Sequence, residues 1–411
     1  MKNIHKLFRK TFIFCMLFFV IKSQSQELQN YLEQAMANNP EIQKFELQYN
    51  IASEKVNGVK TLPNTEFGAS YFVSEPETRT GAQRFKLSVK QMLPWFGTIT
   101  SRENYISSLA DATYEDIVIA KRKLITSVSQ SYYNLYANTA KQKVLEENIK
   151  LLETYETLAL TSVEVGKASA VDVLRLQMRQ NEMEQLLAIL NQQYLTEQTT
   201  FNKLLNRDKS ISINILSDLN FPSEDFEMNT NSLEVHPELS KYDKLYQSIE
   251  TSELLNKKES APMIGFGLDY INVAERPTMN FSDNGKDILM PMVTVSIPIF
   301  NNSYKSKTKQ NSLQQQEILA QKQERKNTLE TFLDKAIHER IAARISYKTQ
   351  TKNLKQAKNA EEILIKNYET GTIDFNDVLD IQELQLKFEM NQIESIKSYF
   401  IQTTIINYLT N

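Results

Sequence analysis

Few residues in this 411-residue chain carry the types and spacing of a catalytic or ligand-binding group. His338-Glu339 begins like the helical zinc-protease motif, in which two histidines four apart hold the metal, but the second histidine's place is taken by Ala342. Beyond the N-terminal segment only His236 and His338 remain, and neither has a cysteine or histidine at ligand spacing. The nine glycines are scattered, so no glycine-rich loop can cradle a phosphate. Met178, Met183 and Met390 sit at helical positions and read as packing residues rather than copper ligands. An enzyme, a cofactor and a resident metal are therefore not expected. What remains is a pair of carboxylates: Asp377 and Asp380 are three apart and share one helix face. Gathered around an axis by several copies of the chain, they would repel one another, raise some of their own pKa values and attract cations. The same residues also fit helix capping, with Asp374 and Asp377 as an N-cap pair, and the two roles are compatible.

The elements that must position those carboxylates begin with an exported N-terminus. Lys2, Lys6, Arg9 and Lys10 precede an apolar run over 12–21, and Lys22 with Ser23, Gln24 and Ser25 follows, which reads as a signal peptide over 1–25. The only cysteine, Cys15, lies inside that run, so neither a lipid anchor nor a disulfide is expected in the mature chain. A net charge of −3 with both signs interspersed argues against a nucleic-acid surface. After Lys22 no run approaches the roughly 20 apolar residues of a membrane helix.

Proline is absent between Trp95 and Phe221 and between Ile299 and Asn411, and the only glycine between Thr98 and Phe221 is Gly166 and between Asn301 and Asn411 Gly371. Each reads as two long helices joined at a glycine turn. The first arm, of roughly 65 residues, would be about 100 Å long, which suits a coiled coil or a tube wall better than a globular core. In the first copy Ile117, Leu124, Val128, Tyr132 and Leu135 form one stripe; in the second a thinner one is expected from Leu313, Leu329, Phe332, Ala336 and Ile341.

Before each hairpin the period changes to two. Phe67, Ala69, Tyr71 and Val73 alternate along one strand, interrupted only by Phe72, as do Phe85, Leu87 and Val89 with polar residues, then Ile264, Phe266, Leu268 and Tyr270, then Val293, Val295 and Ile297. That is the apolar-out, polar-in pattern of a barrel wall, and equally of a soluble hairpin on a core. Four strands cannot close a barrel, so a membrane role requires two, three or four subunits. Trp95 and Phe96 then fit an interfacial aromatic girdle or plain packing at a strand-to-helix corner.

The chain repeats itself. Gly166, Asp172, Val173, Leu174 and Gln177 lie 205 residues before Gly371, Asp377, Val378, Leu379 and Gln382; Pro94 pairs with Pro298, and the segment from Asn39 with that from His236. The expected organisation is a first repeat over 26–221 with strands at about 64–74 and 83–93 and helices at about 98–165 and 167–205. A second repeat over 222–411 has strands at about 262–272 and 289–298 and helices at about 301–370 and 372–409.

In this order of parts, the Asn39-Pro40 helix, the Pro63 strand entry, the Gln91–Gly97 junction and the Gly166 turn with Asp172-Val173-Leu174, each with its second copy, the chain resembles the TolC-type outer-membrane factors. The resemblance covers nearly all of the mature chain. It implies a mainly α fold with a membrane β part: a homotrimer whose twelve strands form one outer-membrane barrel continued by a helical periplasmic tunnel. It further implies an efflux exit duct that works with a periplasmic adaptor and, indirectly, an inner-membrane pump. The turns at Gly166 and Gly371, with Val165, Lys167, Thr370 and Thr372, match the family's adaptor-docking tips. Asp377 and Asp380 match its entrance aspartates, and Asp172 and Tyr368 match the polar links that hold the entrance closed. An arginine expected two residues after the second turn glycine is replaced by Ile373, which puts the usual closed state in doubt. Two other readings stay open: the outlet of a type I protein-secretion system, and a periplasmic coiled-coil structural or adaptor protein.

Overall fold

The computed structural model describes residues 23–166, 169–225, 230–278, 280–370, 372–373 and 375–410. The expected signal segment falls outside them for residues 1–22, as do Lys167, Gly371 and Asp374. Two short helices, α1 (Ser23–Asn38) and α2 (Pro40–Val59), lead into strands β1 (Glu66–Tyr71), β2 (Glu77–Thr78) and β3 (Gly81–Leu93). The long helices α3 (Thr98–Glu164) and α4 (Ala170–Leu204) follow. The order then recurs as α5 (Pro237–Glu259), β4 (Met263–Val273), β5 (Ile288–Ser296), α6 (Ser303–Glu369) and α7 (Phe375–Thr410). α3 and α6 are both 67 residues long, as the proline-free stretches require. The helices leave the turns later than expected, at Ala170 and Phe375.

The chain divides into two compact units that cut across the repeats: Met1–Lys44, Val118–His236 and Asn327–Asn411 form one, and Phe45–Ile117 with Pro237–Lys326 the other. The second unit holds an antiparallel sheet in the order β1-β3-β4-β5. Its register carries the period-two pattern across the strands. Val89 pairs with Phe67 and Leu268, and Leu268 with Pro291; Leu87 pairs with Ala69 and Tyr270, and Tyr270 with Leu289. One face is therefore largely apolar, with Gln91 and Asn272 as its polar members towards the strand ends. Phe67, Tyr71, Phe266, Leu289 and Val293 on it are all more than half exposed. The other face carries Ser88, Lys90 and an ion pair between Lys86 and the fully buried Asp269. Among the described residues no strand pairs with the outer edges of β1 and β5, and Pro291 stands in the second of these, where its missing N–H is tolerated.

A two-residue strand, β2, was not foreseen; it pairs Glu77 with Ala82 and Thr78 with Gly81. Gly81 makes it possible. Its φ is +134°, and a Cβ there would lie 1.9 Å from the carbonyl oxygen of Ala274.

In the first unit one apolar core joins α1, the start of α2, α3, α4 and the segment after it: Ala35, Ile42, Leu124, Val128, Tyr132, Leu135, Phe201 and Ile213. Every residue of the stripe expected in α3 is buried. The stripe in α6 is different. Leu329 and Ala336 are buried as expected, but Leu313, Phe332 and Ile341 are exposed, and the buried line continues through Leu333 and Ala343. In a helix with so few apolar residues, each face carries some of them, so spacing alone does not select the buried one.

Candidate functional site

The ends of both hairpins belong to the first unit and share one core. Leu145, Leu152 and Ala159 of α3, Val173, Leu176 and Met183 of α4, and Phe375 and Val378 of α7 are buried together, with Leu364, Ile365 and Tyr368 of α6 packed against them. Four helices thus meet where the sequence places its candidate residues.

The first turn is built by backbone conformation and a capping box. Gly166 has a φ of +69° with open space around its Cβ position, so the left-handed backbone alone selects glycine. The Ser169 hydroxyl accepts from the Val171 N–H, and Asp172 accepts from the Ser169 N–H at 3.3 Å. Replacing Ser169 by alanine is expected to weaken the first turn of α4 by about 1 kcal/mol, read as roughly fivefold faster amide exchange at Val171 and Asp172. At the second turn the Thr370 and Thr372 hydroxyls both donate to the Asn367 carbonyl, at 2.9 and 2.8 Å. Val165, Thr370 and Thr372 are exposed.

Asp377 and Asp380 are both exposed on α7, three residues apart. Asp172 and Tyr368 are not linked: Asp172 serves its own helix, and the Tyr368 ring lies 5.0 Å from that of Phe375. Other residues make the polar contacts between the two hairpins. Arg175 donates to Asn376. Arg179 pairs with Glu383 of the other hairpin at 2.5 Å, which raises its pKa, and is steadied by Glu182 of its own helix at 2.9 Å. Tyr155 of α3 donates to Glu361 of α6 at 3.2 Å, and its phenol is held well above its ordinary range by burial first and by that carboxylate second.

The Tyr155 contact joins a motif present twice. Gln177 and Gln180 donate to the two oxygens of Glu156, at 2.7 and 3.2 Å. Gln382 and Gln385 donate to the two oxygens of Glu361, the latter at 2.7 Å. Glu156, Gln177 and Gln180 lie 205 residues before Glu361, Gln382 and Gln385, the same offset as the glycine turns. In each hairpin one carboxylate on the first arm thus clamps two amides on the second. The copies differ in burial: Gln382 and Gln385 are 5 % and 7 % exposed, whereas Gln177 is open to solvent. They differ also in Tyr155, whose counterpart in the second repeat is Ala360. Gln177 and Gln382 stand in the repeated sequence motif, but the glutamates they bind lie 21 residues upstream, across the turn.

Residues 31–207 match the outer membrane efflux protein family. No curated protein matches the chain in sequence. Among solved structures, that of CusC shares 13 % identity and a TM-score of 0.77, covering 94 % of this chain and 92 % of its own. The outer-membrane protein VceC of Vibrio cholerae shares 14 % identity and a TM-score of 0.73, covering 93 % of this chain and 96 % of its own. The open state of the Neisseria gonorrhoeae MtrE channel shares 15 % identity and a TM-score of 0.73, over 93 % and 88 %. At such identities the likeness is one of fold, and it extends through both repeats, while the sequence match covers the first. The outer membrane efflux protein match thus spans residues 31–207, and the fold of these outer-membrane channels is shared over more than nine-tenths of the chain.

Proposed function

We propose that the chain is the outer-membrane exit duct of a tripartite efflux system, acting as a homotrimer that conducts substrate passively from the periplasm to the exterior. The observation that carries this reading is the four-stranded sheet of the second unit. One of its faces is largely apolar and exposed from β1 to β5, and neither edge has a partner among the described residues. Edges left unpaired in lipid would cost several kcal/mol for each orphan N–H or carbonyl, so a sheet of this kind closes by pairing β1 of one subunit with β5 of the next. Three copies give twelve strands. The lipid-facing surface is then the apolar face, and Lys86, Ser88 and Lys90 face the lumen, with Asp269 buried beneath Lys86.

In this arrangement the hairpin ends carrying Val165, Gly166, Lys167, Thr370, Gly371 and Thr372 are the surfaces on which an adaptor docks, with the inner-membrane pump behind it. Asp377 and Asp380 of three subunits supply six carboxylates at the entrance. Membrane fractionation and an unheated gel test the architecture: heat-modifiable trimers in the outer membrane are expected, and a soluble periplasmic monomer would overturn it. For the carboxylate ring, single-channel recording of Asp380→Asn and of the double Asp377→Asn, Asp380→Asn variant is expected to show block by multivalent cations weakened at least tenfold. Unchanged block would remove the ring from the entrance.

A further inference from the structure

A cavity of about 330 Å³ opens in the second unit where β3 passes into α3. Leu62, Leu93, Trp95, Phe96, Ile264 and Phe266 line it, so its walls are almost wholly apolar. Leu93 pairs with Ile264 in the sheet and belongs to its exposed apolar face, as does Phe266, which makes the cavity a continuation of that face at the helical end of the strands. The Trp95 and Phe96 rings, 5.8 Å apart and edge to face, form its corner. Gly97 lines the same cavity, with a φ of +81°. The position a Cβ would take there lies 3.6 Å from Nζ of Lys258, an ammonium in the last turn of α5. Nearby cations are neutralised, Arg102 by Glu259 at 3.0 Å and Lys60 by Glu103 at 2.7 Å. Lys258 forms no ion pair among the described residues. An apolar cavity large enough for a small ligand, open to the lipid-facing surface and with a free cation at its rim, matches a molecule with a hydrocarbon chain and a phosphate.

We propose that this cavity is a phospholipid site: one acyl chain occupies it beside Trp95, and the headgroup phosphate rests on Lys258. The proposal depends on the channel reading, which puts the helical ends of the strands at the periplasmic leaflet. A bound lipid there would brace the corner at which strand becomes helix.

Trp95 is the only tryptophan in the chain and serves as its own reporter. The purified protein in detergent is titrated with phosphatidylglycerol brominated on its acyl chains, and Trp95 fluorescence is followed. Saturable quenching at a small mole fraction of lipid is expected, with half-saturation moved about fivefold higher by Lys258→Gln. In Leu62→Phe, which fills the cavity, the saturable phase is expected to disappear. Quenching that rises linearly with bromine content, as with a brominated detergent, would reduce the lipid to bulk solvent and overturn the site. So would quenching that is saturable but unmoved by both substitutions. Flotation of the same protein with lipid vesicles keeps the two ideas separate, because failure to insert would overturn the channel reading, whereas insertion with linear quenching overturns the site alone.

Discussion

Asp225→Ala is expected to destabilise the first unit by about 3 kcal/mol, the lower end of the range for breaking a buried pair, because Asp225 keeps 27 % of its side chain exposed. This residue ties the segment joining the two repeats to α6 and α7. Arg344 holds its carboxylate through two nitrogens, at 2.5 and 3.3 Å, and the Tyr399 hydroxyl donates to it at 2.6 Å. The same guanidinium donates to the carbonyls of Pro222 and Ser223, at 2.7 and 3.1 Å, and lies between the rings of Phe221 and Tyr399. Phe221 in turn stacks on Tyr347 at 3.9 Å. Arg340, with 6 % of its side chain exposed, lies 3.8 Å from the carboxylate. Removing Asp225 takes the paired carboxylate away from the largely shielded Arg344 guanidinium. Asp225→Asn keeps the shape and loses the charge, and is expected to cost somewhat less.

The pH dependence follows from the carboxyl group itself. Burial pushes its pKa upward, but the hydrogen bonds from Arg344 and Tyr399 and the charges of Arg340 and Arg344 outweigh burial and hold it below the ordinary carboxylate value. A group with a lowered folded pKa stabilises fully above its unfolded value, near 3.9, and loses that contribution as pH falls through the folded value. Urea midpoints of the wild type and Asp225→Asn are therefore expected to differ at pH 7 and to converge below about pH 4. A difference that persisted in acid would mean that packing, not charge, holds the segment.

Glu361→Ala is expected to loosen the ends of the hairpins by about 2 kcal/mol, because it removes the shared acceptor of the buried Gln382 and Gln385 amides and of the half-buried Tyr155 hydroxyl, leaving the amides only their longer contacts to Tyr155 and the Ala357 carbonyl. Amide exchange across residues 357–386 should accelerate roughly thirtyfold, and channels bearing the substitution should open more often. Glu156→Ala is the internal control. It removes the same kind of clamp from the first hairpin, where water replaces the lost acceptor, and less than about 1 kcal/mol is expected. Equal effects from the two would show that burial of the second clamp does not matter.

How far the sequence foretold these features depends on how local each of them is. The Gly166 turn, the long helices and the strand alternation rest on residues near one another in sequence, and each has its counterpart among the described elements. The buried stripe of α3 was legible because its apolar residues fall on one face. That of α6 was not, since Phe332 and Leu333 are neighbours of similar hydrophobicity and only the packed partner distinguishes them. At the hairpin ends, the repeat exposed Gln177 and Gln382 without their acceptors. The resemblance matches Asp172 and Tyr368 to links between the hairpins; what spacing alone makes legible is the capping box, since Ser169 stands three residues before Asp172. Arg175 and Arg179 drew no attention for their contacts, because an exposed arginine on a charged helix has nothing in its sequence neighbourhood to name a partner on another helix.

The sheet also sets an order of events in biosynthesis. β1 finds β3 within about 25 residues, but the central pairing matches Ser88 with Asp269, more than 180 residues later. A ribosome releases α3, α4 and α5 before β4 exists. The first hairpin of helices, rich in local contacts, can therefore fold while β3 still presents an unpaired edge, and the non-local closure of the sheet comes late and slowly. During that interval the β1–β3 pair is the segment of the nascent chain most exposed to aggregation, and the one a holding chaperone would be expected to grip.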